Sequence, residues 1–143
     1  MMQPINKMKT EFLSKSSNEA FARVVAACFA AQADPSVEVL ADIRTAVSEA
    51  VTNAIVHGYE EKEGIISMEC ILYTDHVEII IQDHGKGIDD VQLARTPLYT
   101  SRPELERSGM GFTVMETFMD SLEVESAPGK GTKVRMTKQL EYR

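Results

Sequence analysis

The chain has 143 residues, 43% hydrophobic and 26% charged, which suits one globular domain with a real core and excludes a disordered chain. Lys and Arg number 15 against 22 Asp and Glu, a net charge of −7, which argues against a nucleic-acid backbone binder because that needs a basic face. The absence of Trp and the low aromatic content argue against a base-stacking platform.

Residues 6–13 suit a short strand with Met8, Thr10 and Phe12 on one face. Ser16-Ser17-Asn18-Glu19 reads as a capping box opening an Ala-rich helix from Ala20 to Ala33, whose apolar positions are Phe21, Val24, Val25, Cys28 and Phe29. Asp34-Pro35 stops it. A longer helix is predicted from Val37 to His57, with Leu40, Ile43, Val47, Ala50 or Val51, and Ala54 at helical period and Gly58 in a left-handed closing position. Two strands follow, Ile65–Tyr73 and Val77–Asp83, across the Thr74-Asp75-His76 turn. Ile79, Ile80 and Ile81 suggest burial on both faces.

Val91–Arg95 suits a short helix. Residues 96–110 have little apolar periodicity and suit a lid or binding loop. Gly111–Met119 reads as a helix, and Leu122–Ser126 with Lys133–Leu140 as a closing hairpin. The expected fold is an α/β two-layer sandwich, a mixed and mostly antiparallel sheet with helices on one face, in a single domain spanning 1–143. Cys28 and Cys70 read as buried thiols in a reducing compartment, and the three His residues show no zinc spacing. No apolar leader or run of ~18 apolar residues is present, so no membrane contact and a cytoplasmic location are expected.

The glycine-rich segments fail both the phosphate-loop and the dinucleotide templates. Three other features stand out. Glu49, Asn53 and His57 are four residues apart and share one helical stripe beside apolar neighbours. Asp83-His84-Gly85-Lys86-Gly87 follows a buried strand, where a carboxylate can accept from a purine amino group and glycines let backbone approach a ligand. Arg107-Ser108-Gly109-Met110-Gly111 leads into a helix whose first amides can bind phosphate. Taken singly, each also fits a plainer reading: a solvated helix face, an Asp-initiated turn, a loop entering a helix.

Together, in this order, Glu49 to Asn53, Asp83 to Gly87 and Gly109 to Gly111 resemble the three nucleotide-binding boxes of the gyrase, chaperone, histidine kinase and mismatch-repair (GHKL) ATPases. Gly131-Thr132 resembles their closing Gly-Thr element. Over about Phe12 to Lys133, with the run RSGMGF at 107–112, the chain is similar to the anti-sigma kinases of spore-forming bacteria. The resemblance implies a Bergerat-type fold, ATP or ADP with Mg²⁺, and phosphorylation of a serine on an anti-anti-sigma protein. It also implies inhibition of a sporulation sigma factor of the sigma-F type, a homodimer, and no direct nucleic-acid contact.

By the same resemblance, Glu49 is the catalytic base, Asn53 the magnesium ligand, Asp83 the adenine reader and Thr132 its companion. Gly85 and Gly87 form the turn under the nucleotide. Thr100, Ser101, Arg107, Ser108, Gly109, Met110 and Gly111 belong to the lid and its end over the phosphates, and Arg23 contacts partners. His84 and Lys86 receive no role, and His57 is read as a helix-end residue. The alternatives are a stress-response anti-sigma kinase with another sigma partner and a nucleotide-dependent binding module without catalysis. A histidine-kinase catalytic domain is disfavoured, since no phosphoacceptor helices precede these motifs.

Overall fold

The computed structural model describes residues 3–96 and 111–140. The strands are β1 (Asn6–Leu13), β2 (Ile65–Leu72), β3 (His76–Asp83), β4 (Ser121–Ser126) and β5 (Thr132–Gln139). The α-helices are α1 (Ser16–Ala30), α2 (Val37–Asn53), α3 (Val91–Ala94) and α4 (Gly111–Phe118). The expected lid lies outside the described residues, apart from Thr96.

One sheet forms, in the order β1-β2-β3-β5-β4, and every described pairing is antiparallel. The expected parallel component is present only as strand direction. β3 and β4 both run antiparallel to β5, so the connection through α3 and α4 is a crossover between parallel strands, and β5 fills the space between them. That arrangement brings the end of β3 against the start of β5, with Asp83 opposite Thr132.

Alternation in β2 puts Ile66, Met68, Cys70 and Leu72 on the buried face; Ile79 and Ile81 of β3 and Val134 and Met136 of β5 extend it. Ile43, Ala46, Val47, Ala50 and Val51 of α2 join the same core. Ile80 points to the opposite face yet is also buried, between cross-strand neighbours Glu69 and Arg135, as the three-isoleucine run suggested.

The first helix departs from expectation in two ways. Its buried residues are Ala22, Ala26, Phe29 and Ala30, while Phe21, Val24 and Cys28 are exposed. Small side chains spaced by four let α1 lie close on α2, which turns the larger apolar residues outward. Cys28 is therefore not the buried thiol expected, whereas Cys70 is, and burial pushes its thiol up to about 12. The capping box is also absent. Lys15 occupies the cap position without a side-chain bond, Asn18 Nδ2 donates to the Leu13 carbonyl, and the Glu19 carboxylate accepts from Ser48 of α2. Glu19 is drawn to a tertiary partner on α2, while Asn18 bonds back to the segment just before the helix.

The second helix is capped by Ser36, with the Val39 N–H donating to Ser36 Oγ at 3.2 Å. Ser36→Ala is expected to cost about 1 kcal/mol of stability. Ser16→Ala, which removes no cap bond, is expected to cost under ~0.5 kcal/mol. Urea unfolding of the two variants checks the contrast.

Candidate functional site

The long helix does not close on a left-handed glycine. It widens into a π-turn, Ala54–Gly58, with the Tyr59 N–H donating to the Ala54 carbonyl at 2.9 Å. Positive φ falls instead on Glu60 and Glu61, at 53° and 64°. The cause lies across the fold. The Gly58 carbonyl accepts from the Lys86 N–H at 2.9 Å. The Tyr59 hydroxyl donates to the Ile65 carbonyl at 2.5 Å and accepts from the His84 N–H at 2.7 Å. These bonds hold the end of the helix against the turn that follows β3.

The contact admits no side chain. A Cβ on Gly58 would lie 2.8 Å from the Asp83 carboxyl carbon, and one on Gly85 would lie 2.0 Å from the Gly58 carbonyl oxygen. Gly85 thus acts behind the site, as a spacer between two backbone segments. Gly87, at φ +80°, turns the chain against the Ala127 carbonyl on the far hairpin.

Above this floor is a cavity of about 420 Å³. Asn53, His57 and Gly58 reach it from the helix side, Asp83 and Gly87 from the end of β3, and Thr132 from β5. Ile81, Val134, Ile88, Leu93, Ala94 and Phe112 supply apolar walls, and Gly111 opens α4 at the same cavity. An apolar slot with a few convergent polar groups is the usual form of a small-molecule site.

Asp83 is the polar group set deepest, 3% exposed. Burial raises its carboxyl pKa above the ordinary 3.8, while the backbone N–H groups of Gly85 and Thr132 and the nearby His84 pull it down. The Gly85 N–H donates to Asp83 Oδ1 at 2.9 Å. The remaining charged lining is Lys86, which pairs with Glu60 at 3.4 Å, and Asp89 and Asp90. Asp90 also caps α3 through the Leu93 N–H at 3.1 Å. An anionic ligand therefore meets a wall with more acid than base among the described residues.

The structure brings Asn53, Asp83, Gly87, Gly111 and Thr132 together. Glu49 lies one turn back on α2 and does not line the cavity, although its neighbour Ala50 does. Gly85 supports the floor from behind. Arg23 sits apart on exposed α1, 3.4 Å from Glu19. Thr100, Ser101, Arg107, Ser108, Gly109 and Met110 lie outside the described residues. Sequence reasoning missed His57, Lys86 and Gly58 as wall residues. His57 carried a signal, the shared stripe with Asn53; Lys86 and Gly58 carried none, because their place depends on the contact between the helix end and the turn.

Among the described residues no three His, Cys, Asp or Glu side chains group as a self-sufficient metal site. Asn53 offers one amide oxygen. That donor set fits a hard cation such as Mg²⁺, which keeps most of its ligands as water or phosphate oxygen.

Asp83 gives a pH dependence of definite sign. Its native carboxyl holds the proton more tightly than the unfolded one, so ionising it costs stability as pH rises from 3.8 through the raised native value. Stability of the wild type measured relative to Asp83→Asn is expected to fall across that window and to level off above it. Urea unfolding at a series of pH values checks this; an opposite slope would show that its hydrogen bonds outweigh burial.

Comparison with known proteins agrees with the geometry. The sequence profile of the histidine kinase-like ATPase domain matches residues 14–138. A protein of Thermoanaerobacter sp. named anti-sigma F factor is 60% identical over 97% of this chain and 97% of its own length. The anti-sigma F factor of Clostridium novyi is 60% identical over 94% of this chain and 95% of its own. Among solved structures, the RsbU and RsbW domains of a Mycobacterium tuberculosis protein align with a TM-score of 0.67 at 18% identity, over 98% of this chain and 34% of that longer one. The mycobacterial sensor histidine kinase MprB aligns at 0.52 and 12% identity, over 96% of this chain and all of its own; both share the fold. The chain belongs to the histidine kinase-like ATPase domain family and, within it, to the anti-sigma F factors.

Proposed function

We propose that the chain is an anti-sigma factor and ATP-dependent serine protein kinase. It would inhibit a sporulation sigma factor of the sigma-F type and phosphorylate a serine of an anti-anti-sigma protein, acting as a cytoplasmic homodimer without direct nucleic-acid contact. The observation that carries the reading is the single cavity in which the buried Asp83 carboxylate and the Asn53 amide face a slot with apolar walls. The family membership and the name shared by its relatives support it.

In this reading Asp83 accepts a hydrogen bond from the purine amino group, with Thr132 beside it. Ile81, Val134 and Ile88 exclude water from the purine. The phosphates lie towards Gly111, where α4 begins and the end of a helix favours negative charge. Asn53 would hold Mg²⁺, which would offset phosphate charge that an acidic chain does not neutralise by itself. Lid residues Thr100, Ser101, Arg107, Ser108, Gly109 and Met110 complete the phosphate end.

Glu49, one turn from Asn53 on α2, takes the proton of the substrate serine hydroxyl. The serine oxygen bonds to the γ-phosphorus, the bond to the bridging oxygen breaks, and ADP leaves. Arg23, exposed on α1 away from the cavity, meets the protein partners, so partner grip and nucleotide chemistry use different surfaces.

One observation favours a second reading. Glu49 does not line the cavity and has a partner within the chain, as a nucleotide-dependent binding module without catalysis would allow. Incubation with labelled ATP, Mg²⁺ and a candidate anti-anti-sigma protein separates the two. The kinase reading expects phosphoserine on the antagonist; ADP binding with no transfer favours the module.

Glu49→Ala is expected to lower the transfer rate by about 10²–10⁴ while nucleotide affinity stays within about twofold. Equal loss of both would make Glu49 structural. Arg23→Glu is expected to weaken sigma-factor binding by about tenfold or more and to leave ATP affinity unchanged, as read by calorimetry.

A further inference from the structure

Across the sheet at the rim of the cavity, Asp83, Thr132 and Ser126 form one row. Asp83 pairs with Thr132 in the β3–β5 ladder, and Thr132 pairs with Ser126 in the β5–β4 ladder. Cross-strand partners point to the same face, so the three side chains stand side by side. Asp83 and Thr132 line the cavity and Ser126 stands behind them, outside its wall.

The hydrogen bonds of Ser126 leave little freedom. Its oxygen accepts from the Ile88 N–H at 2.8 Å, where Ile88 follows the turn carrying Gly87. Its hydroxyl donates to the Gly131 carbonyl at 2.8 Å. A third bond, at 2.9 Å, joins it to Thr132 Oγ1. A serine hydroxyl has one proton and two lone pairs. The Gly131 carbonyl takes the proton, because a carbonyl only accepts. The Ile88 N–H takes one lone pair, because an N–H only donates. The remaining lone pair must accept from Thr132, so the Thr132 proton is turned towards Ser126. Thr132 Oγ1 then faces the cavity with lone pairs alone.

We propose that Ser126 sets the polarity of the Thr132 hydroxyl and thereby makes the cavity selective for a 6-aminopurine over a 6-oxopurine. The inference rests on the reading of this cavity as a purine nucleotide site. A 6-amino group is a donor and, in direct contact, suits a rim of two acceptors, Asp83 and Thr132. A 6-oxo group is an acceptor. Its ring N1–H satisfies the Asp83 carboxylate, which therefore discriminates weakly by itself. The oxo oxygen meets the Thr132 lone pairs, and that mismatch carries the selectivity. With Ser126 removed, the Thr132 hydroxyl is free to rotate and donate, and a 6-oxopurine becomes acceptable.

The test compares the affinities of ADP and IDP, which differ only in the purine at position 6 and N1. Removing Ser126 also breaks bonds to Ile88 and Gly131 that brace the hairpin, and a general loosening lowers both affinities alike; the ratio isolates the polarity effect. Ser126→Ala is expected to narrow the ADP-over-IDP ratio by about tenfold. Ser126→Cys, with a similar volume and a weak acceptor, is expected to narrow it in the same direction, and it carries the test if the alanine variant does not fold. Ser126→Thr keeps the hydroxyl and is expected to keep the ratio within about twofold. In a Thr132→Val background, Ser126→Ala is expected to change the ratio no further. A wild-type ratio that survives Ser126→Ala or Ser126→Cys overturns the inference while leaving the nucleotide site intact. A wild type that binds neither ADP nor IDP overturns the reading of the cavity, and the inference falls with it.

Discussion

The site depends on one close approach, between the end of a helix and the end of a strand. Gly58 and Gly85 meet backbone to backbone, and the Asp83 carboxylate is wedged against the same point. Hydrogen bonds from Lys86 to Gly58 and from His84 to Tyr59 hold the two segments together. Any side chain at Gly58 would occupy the carboxylate's place. The widened turn at Ala54–Gly58, the positive φ at Glu60 and Glu61, and the burial of Asp83 accompany this contact.

Burying an acid is costly, and the fold offsets that cost only in part, through backbone N–H donors from Gly85 and Thr132 and the nearby His84. Such an arrangement is unfavourable for stability taken alone. It makes sense when a ligand supplies the missing donor, which ties the strain of the fold to the chemistry of the cavity. The acidic balance of the chain fits the proposed function: in that reading phosphate meets a helix end and Asn53, and a cation would complete the rest.

Much of this was legible from residues alone. The spacing of Glu49 and Asn53 placed both on α2, with His57 in the widened turn beyond it, and the Ile79–Ile81 run marked a central strand whose end carries Asp83. Local pattern was weaker where tertiary contacts decided the outcome. The Ser16–Glu19 cap gave way because Asn18 and Glu19 found partners outside the first turn. Cys28 reads as core by hydropathy, yet the alanine stripe of α1 took the buried face. Gly58 reads as a helix terminator by type, but its role is proximity to Asp83, a residue 25 positions away that no periodicity connects to it. The Ser126 hydroxyl was invisible for the same reason, since its meaning lies in three bonds to two other segments.

The central claim is that Asp83 and Asn53 face one bound adenine nucleotide from its two ends. A crystal structure of the chain with Mg²⁺ and a non-hydrolysable ATP analogue tests it most directly. The account expects the purine amino group within hydrogen-bonding distance of the Asp83 carboxylate and the cation on the Asn53 amide oxygen. A nucleotide bound elsewhere, or seated in this cavity with its phosphates at Asp83, would contradict it.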